Sequence, residues 1–535
     1  MEVGIMIRLN FPSRSLIRRL QKALVLERRL HSFDKQRICE LEAEILKLRV
    51  RVSDLEARLS LNSSNSSMPP SSDRKPNSKS SSDSDAKPSP KSLRSKTGKR
   101  PGAQKGHKGY GFSLPKREPD QTISCVPTEC EGCPHAAECS KHQKKIDTRY
   151  VLDIIIKTLL LRYVAYSRQC PLRGGIALTA TFPRGVNHTK QYGDLFWALA
   201  VALYVNFNCS YDKIHEFLSQ LTDTKASVGW AFNKFKALAE SVAANEAIER
   251  IKQLLLQERT VVCDETGVRA ECGNAWIHNA STSLLTLHTV SRKRGSEGML
   301  EGGFLPHYTG TVVHDCWSPY WNDRLKQFDN DGNLVGFFQH ALCNQHLIRE
   351  LRWVYEIGHQ TAMANQDWAF EVEVWLLTFQ MIRNEAIAKG QRSLSNATIA
   401  DFQEIFMDYV DEGMAKNPDT NATKGSKIHR KIRALLNRMA KRCHEFLKFL
   451  QDFDVPFTSN QAERDLRIYK ARLAVSGCFR TLYGCARYAK LYSIVNSAHK
   501  LGVTWKDTML GLIRNESVET LLPYDGQKKS MLALT

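Results

Sequence analysis

The sequence lacks a long uninterrupted apolar stretch. The longest one, residues 195–207, is shorter than the ~18 residues that a membrane-spanning helix needs. Near the N-terminus, Arg8 interrupts the apolar residues before the hydrophobic region of a signal peptide can form. We therefore expect a cytoplasmic protein that does not use a membrane, with residues 195–207 forming a buried helix.

Acidic residues are scarce relative to basic ones. The chain has 56 Asp and Glu against 76 Lys and Arg, which gives a net charge of +20 at pH 7. Such an excess favours a polyanionic partner, most commonly a nucleic acid, although a soluble protein with a basic surface has the same composition. The 535 residues are too many for one compact core, so we expect three or four structural units.

Two common ligand-binding loops are also missing. The basic, glycine-rich residues 96–110 contain no Gly-Lys-Ser or Gly-Lys-Thr at the spacing of a phosphate-binding loop. Residues 329–332 begin like a calcium loop, but its twelfth position is occupied by Phe338 instead of a glutamate. These absences argue against a nucleotide-binding fold and against a calcium sensor.

Residues 1–61 contain a heptad pattern. Its apolar residues recur alternately three and four positions apart: Ile38, Leu41, Ile45, Leu48, Val52, Leu55 and Leu59. This spacing predicts a coiled coil that forms a homo-oligomer, or alternatively one helix docked on its own protein. Residues 62–118 are rich in Ser, Lys and Pro and predict a disordered basic linker, which would contact DNA phosphates or act as a tether.

A cysteine-rich segment follows at residues 119–182. Cys130 and Cys133 have the spacing that lets two thiolates bind one tetrahedral zinc ion, but no second Cys-x-x-Cys follows, because Arg173 occupies that position. We predict a zinc-binding-like domain, with Cys125 or a histidine as substitute ligands and a site without metal as the alternative. The predicted zinc ligands are Cys130, Cys133, Cys139 and Cys170.

The rest of the chain predicts a helical region, then an α/β domain interrupted by helices. Residues 183–250 read as helices, in which 211–221 and 226–242 form either a helix-turn-helix DNA-binding motif or a plain bundle. Residues 251–350 predict the first part of a ribonuclease-H-like α/β catalytic domain. Its strands are expected at 260–263, 275–279, 284–290, 310–314 and 337–342. Residues 351–450 predict a helical insertion, and residues 451–535 supply a capped helix from Ser459 or Asn460 and further C-terminal helices.

Three acids occupy positions suited to metal binding. Asp264 follows the first predicted strand, Asp315 follows the fourth, and Glu463 lies on the helix near residue 460. The first and fourth strands are neighbours in a ribonuclease-H-like sheet, so the two aspartates would emerge side by side. Adjacent carboxylates repel unless a cation neutralises them, and their oxygen atoms suit Mg²⁺ or Mn²⁺. A two-metal site would support attack on a phosphodiester. Glu265 and Asp323 are rival ligands.

Several motifs together resemble the transposases of the insertion sequence 66 family, which belong to the DDE group. The resemblance spans nearly the whole chain. It rests on residues 62–73, residues 102–109, the cysteine-rich segment, Asp264-Glu-Thr, Asp315 followed by Trp317 to Tyr320, Cys343-x-x-His346, and the stretch from Asn460 to Arg467.

This resemblance implies a catalytic role for the three acids. Asp264, Asp315 and Glu463 would form the metal-binding triad, and a helical insertion would precede the glutamate. Cys343 and His346 would belong to a Cys-x-x-His signature, in which His346 contacts the scissile phosphate or a metal-bound water, or is instead a histidine satisfied within the core.

The resemblance also implies the substrate. The protein would bind double-stranded DNA at the terminal inverted repeats of its element and at target sites, and would cleave and join strands in the bacterial nucleoid. The basic residues beside the triad are predicted phosphate contacts: Arg464, Arg467, Lys470 and Arg472. The alternatives are a DNA-binding relic or regulator that has lost catalysis, and a metal-dependent nuclease that does not join strands.

Overall fold

A computed structural model describes residues 115–125, 127–128, 132–142, 144–153, 157–174, 176–222, 228–328, 334–360, 366–418 and 427–524. The predicted coiled coil, nearly all of the predicted linker, and Cys130 lie outside these residues. The chain divides into two compact units, one of residues Asp85–Thr179 and the other of Ala180–Thr535 together with Met1–Ser84. Each is described here by itself.

The smaller unit contains little regular structure among its described residues. A short helix, α1 (Ala136–Cys139), precedes two antiparallel strands, β1 (Ser167–Cys170) and β2 (Ile176–Thr179). Strand pairing in the described part of this unit begins only at Ser167. The preceding described residues have exposed apolar side chains and no neighbouring strand to pair with, as at the fully exposed Leu160.

The described residues of the larger unit begin with four helices, α2 (Asp194–Val205), α3 (Tyr211–Thr222), α4 (Val228–Ala239) and α5 (Val242–Leu256). Helix α2 is the predicted buried helix, and its Trp197 stacks on Trp230 of α4 with ring centroids 3.9 Å apart. Helices α3 and α4 match the predicted helix pair, whose connection at residues 223–227 lies outside the described part. No helix among the described residues is apolar over enough length to cross a bilayer.

A mixed five-stranded sheet follows. Strands β3 (Thr260–Ala270), β4 (Gly273–Ser281) and β5 (Thr286–Ser291) form an antiparallel meander. After helix α6 (Ser296–Gly302), β6 (Thr311–His314) pairs parallel with β3, and a small hairpin of β7 (Gln327–Phe328) and β8 (Leu334–Gly336) precedes β9 (Gln339–Leu342), which is parallel to β6. The order is β5-β4-β3-β6-β9. All five predicted strands are present, and the first and fourth are neighbours.

Strand β3 is longer than the sequence predicted. Its parallel pairing with β6 ends at Val262, whereas its antiparallel pairing with β4 continues to Ala270. The continuation is stable because Thr266, Val268 and Ala270 are buried. Asp264 therefore lies within the strand, two residues beyond the end of the parallel pairing, and the prediction that it lies at the strand end is corrected.

Helices cover the part of the chain predicted as an insertion. They are α7 (Asn344–Gln360), α8 (Asp367–Ala388), α9 (Asn396–Lys416), α10 (Lys427–Lys441), α11 (Cys443–Phe446) and α12 (Lys448–Gln451). Their apolar side chains, such as Trp368 and Phe402, form one core with Val262 and Val313 of the sheet, whereas Cys263 and Val312 belong to a second core. Successive side chains of a strand point to opposite faces, so the sheet separates the two cores.

The C-terminal helices are α13 (Asn460–Ser476), α14 (Leu482–Lys500), α15 (Trp505–Arg514) and α16 (Val518–Leu521). Helix α14 covers the edge strand β5. Its Ser497 and Ser493 hydroxyls each accept a hydrogen bond of 2.9 Å, from the backbone N–H groups of Thr286 and His288. These bonds satisfy donors that an open sheet edge would expose, and they fix the C-terminal helices to the sheet.

Candidate active site

The structure brings four of the predicted site residues together. Asp264 lies within β3, Asp315 directly follows β6, His346 lies in the first turn of α7, and Glu463 lies in the first turn of α13. The charges of Asp315, His346 and Glu463 all act on the Asp264 carboxyl group. Residues distant in sequence therefore meet at one place, where the parallel strands β3 and β6 end their pairing.

Asp264 is held in a crowded negative environment. Its Oδ1 accepts a hydrogen bond of 2.8 Å from the Glu265 backbone N–H. Burial, the negative charge of Asp315 and that of Glu463 outweigh this bond and the opposing charge of His346, and they raise the pKa of Asp264 to about 6. Asp264 thus carries a charge at neutral pH that its protein neighbours do not fully compensate.

Asp315 is fixed by a tight turn. Its Oδ1 accepts a hydrogen bond of 3.0 Å from the Trp317 backbone N–H, the pattern by which aspartate stabilises turns. Between them Cys316 has a φ of 69°, in the left-handed region that residues other than glycine rarely adopt. The turn keeps the Asp315 carboxyl group at the end of β6, where its charge acts on Asp264.

Glu463 faces cations. Its Oε1 lies 3.8 Å from His346 Nε2 and 3.7 Å from the Arg349 guanidinium. Burial lowers the pKa of His346, but the neighbouring Cys343 side chain and the Asp315 charge raise it to about 9. His346 is therefore positively charged at neutral pH, and its charge acts on Asp264 as well as on Glu463.

Cys343 links the N-terminal ends of helices α7 and α13 by a hydrogen bond. The Ser459 backbone N–H, just before α13, donates a hydrogen bond of 3.1 Å to Cys343 Sγ, just before α7. The Asn344 backbone N–H in turn donates to the Phe457 carbonyl oxygen at 3.1 Å. These contacts hold the helix ends that carry His346 and Glu463 beside one another.

Glu265, the rival metal ligand, already has protein partners. Tyr320 donates a hydrogen bond to its carboxylate, and Arg294 lies 3.9 Å away. Arg294 is itself stacked on Trp317, with its guanidinium 4.0 Å from the ring centroid. Burial and the charges of Asp315 and Asp264 raise the pKa of Glu265 to about 8, although Tyr320 and Arg294 oppose the shift. Since neighbouring strand residues point to opposite faces, Glu265 does not share the face of Asp264.

The other rival, Asp323, lies in a short turn. Its carboxylate is 2.6 Å from the Lys326 ammonium group, and its side chain is 80% exposed. It is not among the charges that act on Asp264. The sequence motif from Trp317 to Tyr320 signalled the importance of this loop, but not the contact between Tyr320 and Glu265.

The donor atoms fit a divalent cation in type. Carboxylate oxygens are the ligands that Mg²⁺ and Mn²⁺ prefer, and the mutual repulsion of Asp264 and Asp315 is what such a cation would relieve. Within the described ranges, no group of three or more His, Cys, Asp or Glu side chains is close enough to hold one ion as it stands. Glu463 is instead directed to His346 and Arg349.

The predicted DNA contacts on α13 fall on two different faces. Arg464, Arg467 and Lys470 are exposed and recur every three residues along one side of the helix. Arg472 is buried: its guanidinium lies 4.2 Å from the Tyr204 ring centroid and donates a 3.2 Å hydrogen bond to the Tyr204 carbonyl oxygen. The prediction that Arg472 contacts phosphate is corrected, because its side chain is enclosed by aromatic rings.

The predicted zinc ligands are described only in part. Cys133 and Cys139 are free thiols in the smaller unit. Cys130 and the Cys170 side chain lie outside the described atoms. The zinc site therefore stays a prediction.

The sequence was also compared with known proteins. A family model described as "Transposase IS66 family" matches residues 190–487, more than half of the chain. The matched range includes Asp264, Asp315, His346 and Glu463, which together are called the acid cluster below. Residues 10–80 match a family of unknown function, DUF6444. Neither the curated proteins nor the solved structures gave a match. The family match is consistent with the motifs noted in the sequence, and the chain belongs to the IS66 family of transposases.

Proposed function

We propose that this transposase binds the terminal inverted repeats of its insertion sequence and catalyses metal-dependent cleavage and strand transfer at the acid cluster. The observation that carries the proposal is the convergence of Asp315 and Glu463 on Asp264. The sheet order β5-β4-β3-β6-β9, with only β4 antiparallel to β3, supports a ribonuclease-H-like catalytic core.

In this proposal Asp264, Asp315 and Glu463 hold Mg²⁺ or Mn²⁺, in a two-metal site. When bound, the ions would supply the positive charge that activates a water or a 3′-hydroxyl and stabilises the leaving oxygen. The charge of Asp315 already raises the pKa of Asp264, and a cation bound to both carboxylates would relieve that repulsion. Glu463 would exchange its longer contacts with His346 and Arg349 for the cation.

His346 and Arg349 then become donors for the substrate. Both are positively charged and lie near 3.8 Å and 3.7 Å from the Glu463 carboxylate. Groups of this kind suit a phosphate oxygen, whose negative charge they would neutralise as DNA enters. We assign to His346 a contact with the scissile phosphate and to Arg349 a contact with a neighbouring one.

Arg464, Arg467 and Lys470 continue the DNA-binding surface along α13. They are exposed, and they begin one residue after Glu463. Backbone contacts of this type position DNA without reading its sequence, so recognition of the inverted repeats would come from other parts of the chain. The helix pair α3–α4, the zinc-binding-like segment and the oligomer formed by the predicted coiled coil are the candidates.

The test uses purified full-length protein, Mg²⁺ and DNA that carries the ends of its element. Asp264→Asn and Glu463→Gln should each lower cleavage to below about a thousandth of wild type, since each removes charge stabilisation at the reacting phosphate. DNA binding should be retained. Asp323→Asn is the matched control, because it removes an exposed carboxylate eight residues after Asp315.

The outcomes separate the alternatives. Full activity in both acid variants would contradict the proposed site. Cleavage without joining would indicate a nuclease, and binding without cleavage by the wild type would indicate a regulator that has lost catalysis. Genomic DNA flanking the gene gives an independent check, since inverted repeats and a short target duplication support the transposase, whereas their absence supports the relic.

A further inference from the structure

Helix α10 in the insertion is strongly basic. Its fifteen residues include six Lys and Arg and no Asp or Glu. The inward face consists of buried apolar residues: Ile432, Leu435, Leu436 and Met439. Like charges three and four positions apart destabilise an isolated helix, so this composition opposes the stability of α10 unless an anion compensates it.

The cations of α10 have two different uses. Arg433 donates hydrogen bonds to the carbonyl oxygens of Met414 and Asn417, at 3.2 and 2.9 Å, and Arg438 pairs with Glu350. These contacts fix α10 to its neighbours. Arg430 and Lys441 are exposed, and no carboxylate in the described part of the chain pairs with either.

The exposed cations form a row with small residues between them. Ala434 and Asn437 separate Arg430 from Lys441, and both are exposed. Lys431 borders the row, with its ammonium group 4.2 Å from the Trp353 ring centroid. The row from Arg430 to Lys441 spans roughly 16 Å along the helix axis, about the rise of five base-pair steps. Short central side chains let a polyanion approach the helix closely.

The row lies beside the helix that helps to build the acid cluster. Arg438 meets Glu350 and Lys431 meets Trp353, so α10 runs antiparallel to α7, whose first turns carry His346 and Arg349. Just after α10, the Arg442 guanidinium lies 4.2 Å from the ring centroid of Trp321, in the segment that follows Asp315. Helix α10 therefore borders the elements that carry Asp315, His346 and Arg349.

We infer that the row of Arg430, Ala434, Asn437 and Lys441, with Lys431 at its border, binds the sugar-phosphate backbone of the DNA duplex that leads into the acid cluster. The inference rests on the proposed function for the identity of the substrate as DNA. A linear cationic row without acids matches a regularly charged backbone, and phosphate contacts of this kind are independent of base sequence.

The experiment measures binding of a fluorescein-labelled, random-sequence DNA duplex to the full chain by anisotropy, over a series of KCl concentrations with EDTA present. The Arg430→Gln/Lys441→Gln variant should bind about tenfold more weakly, and the slope of log affinity against log salt should fall by roughly two. Arg392→Gln/Lys506→Gln is the matched control. It removes one exposed Arg and one exposed Lys from other elements and should behave as wild type.

Wild-type affinity and slope in the Arg430→Gln/Lys441→Gln variant would overturn the inference, as would a wild-type protein that does not bind the duplex. Thermal unfolding checks the fold of the variant. If the double variant unfolds early, Lys441→Gln alone should still lower the slope by about one. The assay excludes divalent ions, so its outcome does not depend on the proposed metal-dependent catalysis. Asp264→Asn, which removes a proposed metal ligand, should bind DNA as the wild type does.

Discussion

Two carboxylates on α13 lie two positions apart and have opposite surroundings. Asp465 points inward, and its side chain is 6% exposed. Its carboxylate accepts hydrogen bonds from the side chains of Lys500 at 2.7 Å, Asn496 at 3.0 Å and Thr286 at 3.2 Å. Glu463 points outward, 23% exposed, with cations no closer than 3.7 Å. One acid is saturated by protein donors, whereas the other is not.

The difference separates charges that hold the fold from charges available to a ligand. A buried carboxylate with short, complete hydrogen bonds cannot exchange them without leaving its partners unpaired. A carboxylate with long contacts can accept a cation at lower cost. The basic residues of α13 follow the same division, since Arg472 is enclosed by rings whereas Arg467 is exposed.

The largest effect is expected from breaking the saturated pair. Lys500→Met leaves the Asp465 carboxylate buried without its cation, and the free energy of unfolding should fall by about 3–5 kcal/mol. Urea unfolding measures the change. The double variant Asp465→Asn/Lys500→Met should recover part of the loss, and Lys506→Met, at an exposed position, should change the free energy of unfolding by less than about 0.5 kcal/mol. A loss equally small for Lys500→Met would contradict the anchoring role.

A smaller loss of stability is expected at acidic pH. His288 lies next to this network, its Nδ1 is 2.8 Å from the Tyr469 hydroxyl, and burial lowers its pKa from 6.5 to about 3. The unfolded chain therefore binds a proton below pH 6.5 that the folded chain does not, and stability falls as the pH drops from 6.5 towards 3.

Substitution of His288 tests this dependence. In the wild type, this effect should lower the free energy of unfolding by about 2 kcal/mol at pH 5, and His288→Asn should remove that loss. Urea unfolding at pH 7 and pH 5 measures the difference. The exposed His499 provides the control, as His499→Asn, and equal pH dependence in the wild type and His288→Asn would show that His288 titrates normally.

The smallest effects are expected from substituting the two arginines of α13, one exposed and one buried. Arg467→Gln should weaken DNA binding about threefold with little change in stability, because one phosphate contact is lost. Arg472→Gln should leave DNA affinity unchanged but lower the melting temperature, because its stacking on Tyr204 and Tyr488 is lost. Anisotropy measures the DNA affinity and thermal unfolding measures the stability of the same samples. The reverse pattern would contradict the division between ligand-binding and structural charges on α13.

Local pattern predicted much of the fold. Short apolar segments separated by turn-like residues located the five strands, and the helical pattern located the insertion. The length of β3 was not predictable, because the burial of Val268 and Ala270 depends on packing against distant parts of the chain. Likewise, nothing near Asp465 in sequence identifies Lys500 as its partner.

The burial of Arg472 had a signal that the prediction missed. Asp465, Tyr469 and Arg472 recur four and three positions apart and so share one face of α13, whereas Arg464, Arg467 and Lys470 share another. Treating the four basic residues as one surface ignored this spacing. The acid cluster was predicted through motifs, but the contacts of Glu463 with His346 and Arg349 depend on how α7 and α13 meet.

The most direct measurement is Mn²⁺ binding by the full-length protein, followed by electron paramagnetic resonance of the free ion. The account predicts that wild type and Asp323→Asn bind with the same affinity, and that Asp264→Asn and Glu463→Gln each bind at least about tenfold more weakly, because each loses a charged ligand. Wild-type affinity in both acid variants would contradict the central claim that these carboxylates hold the metal.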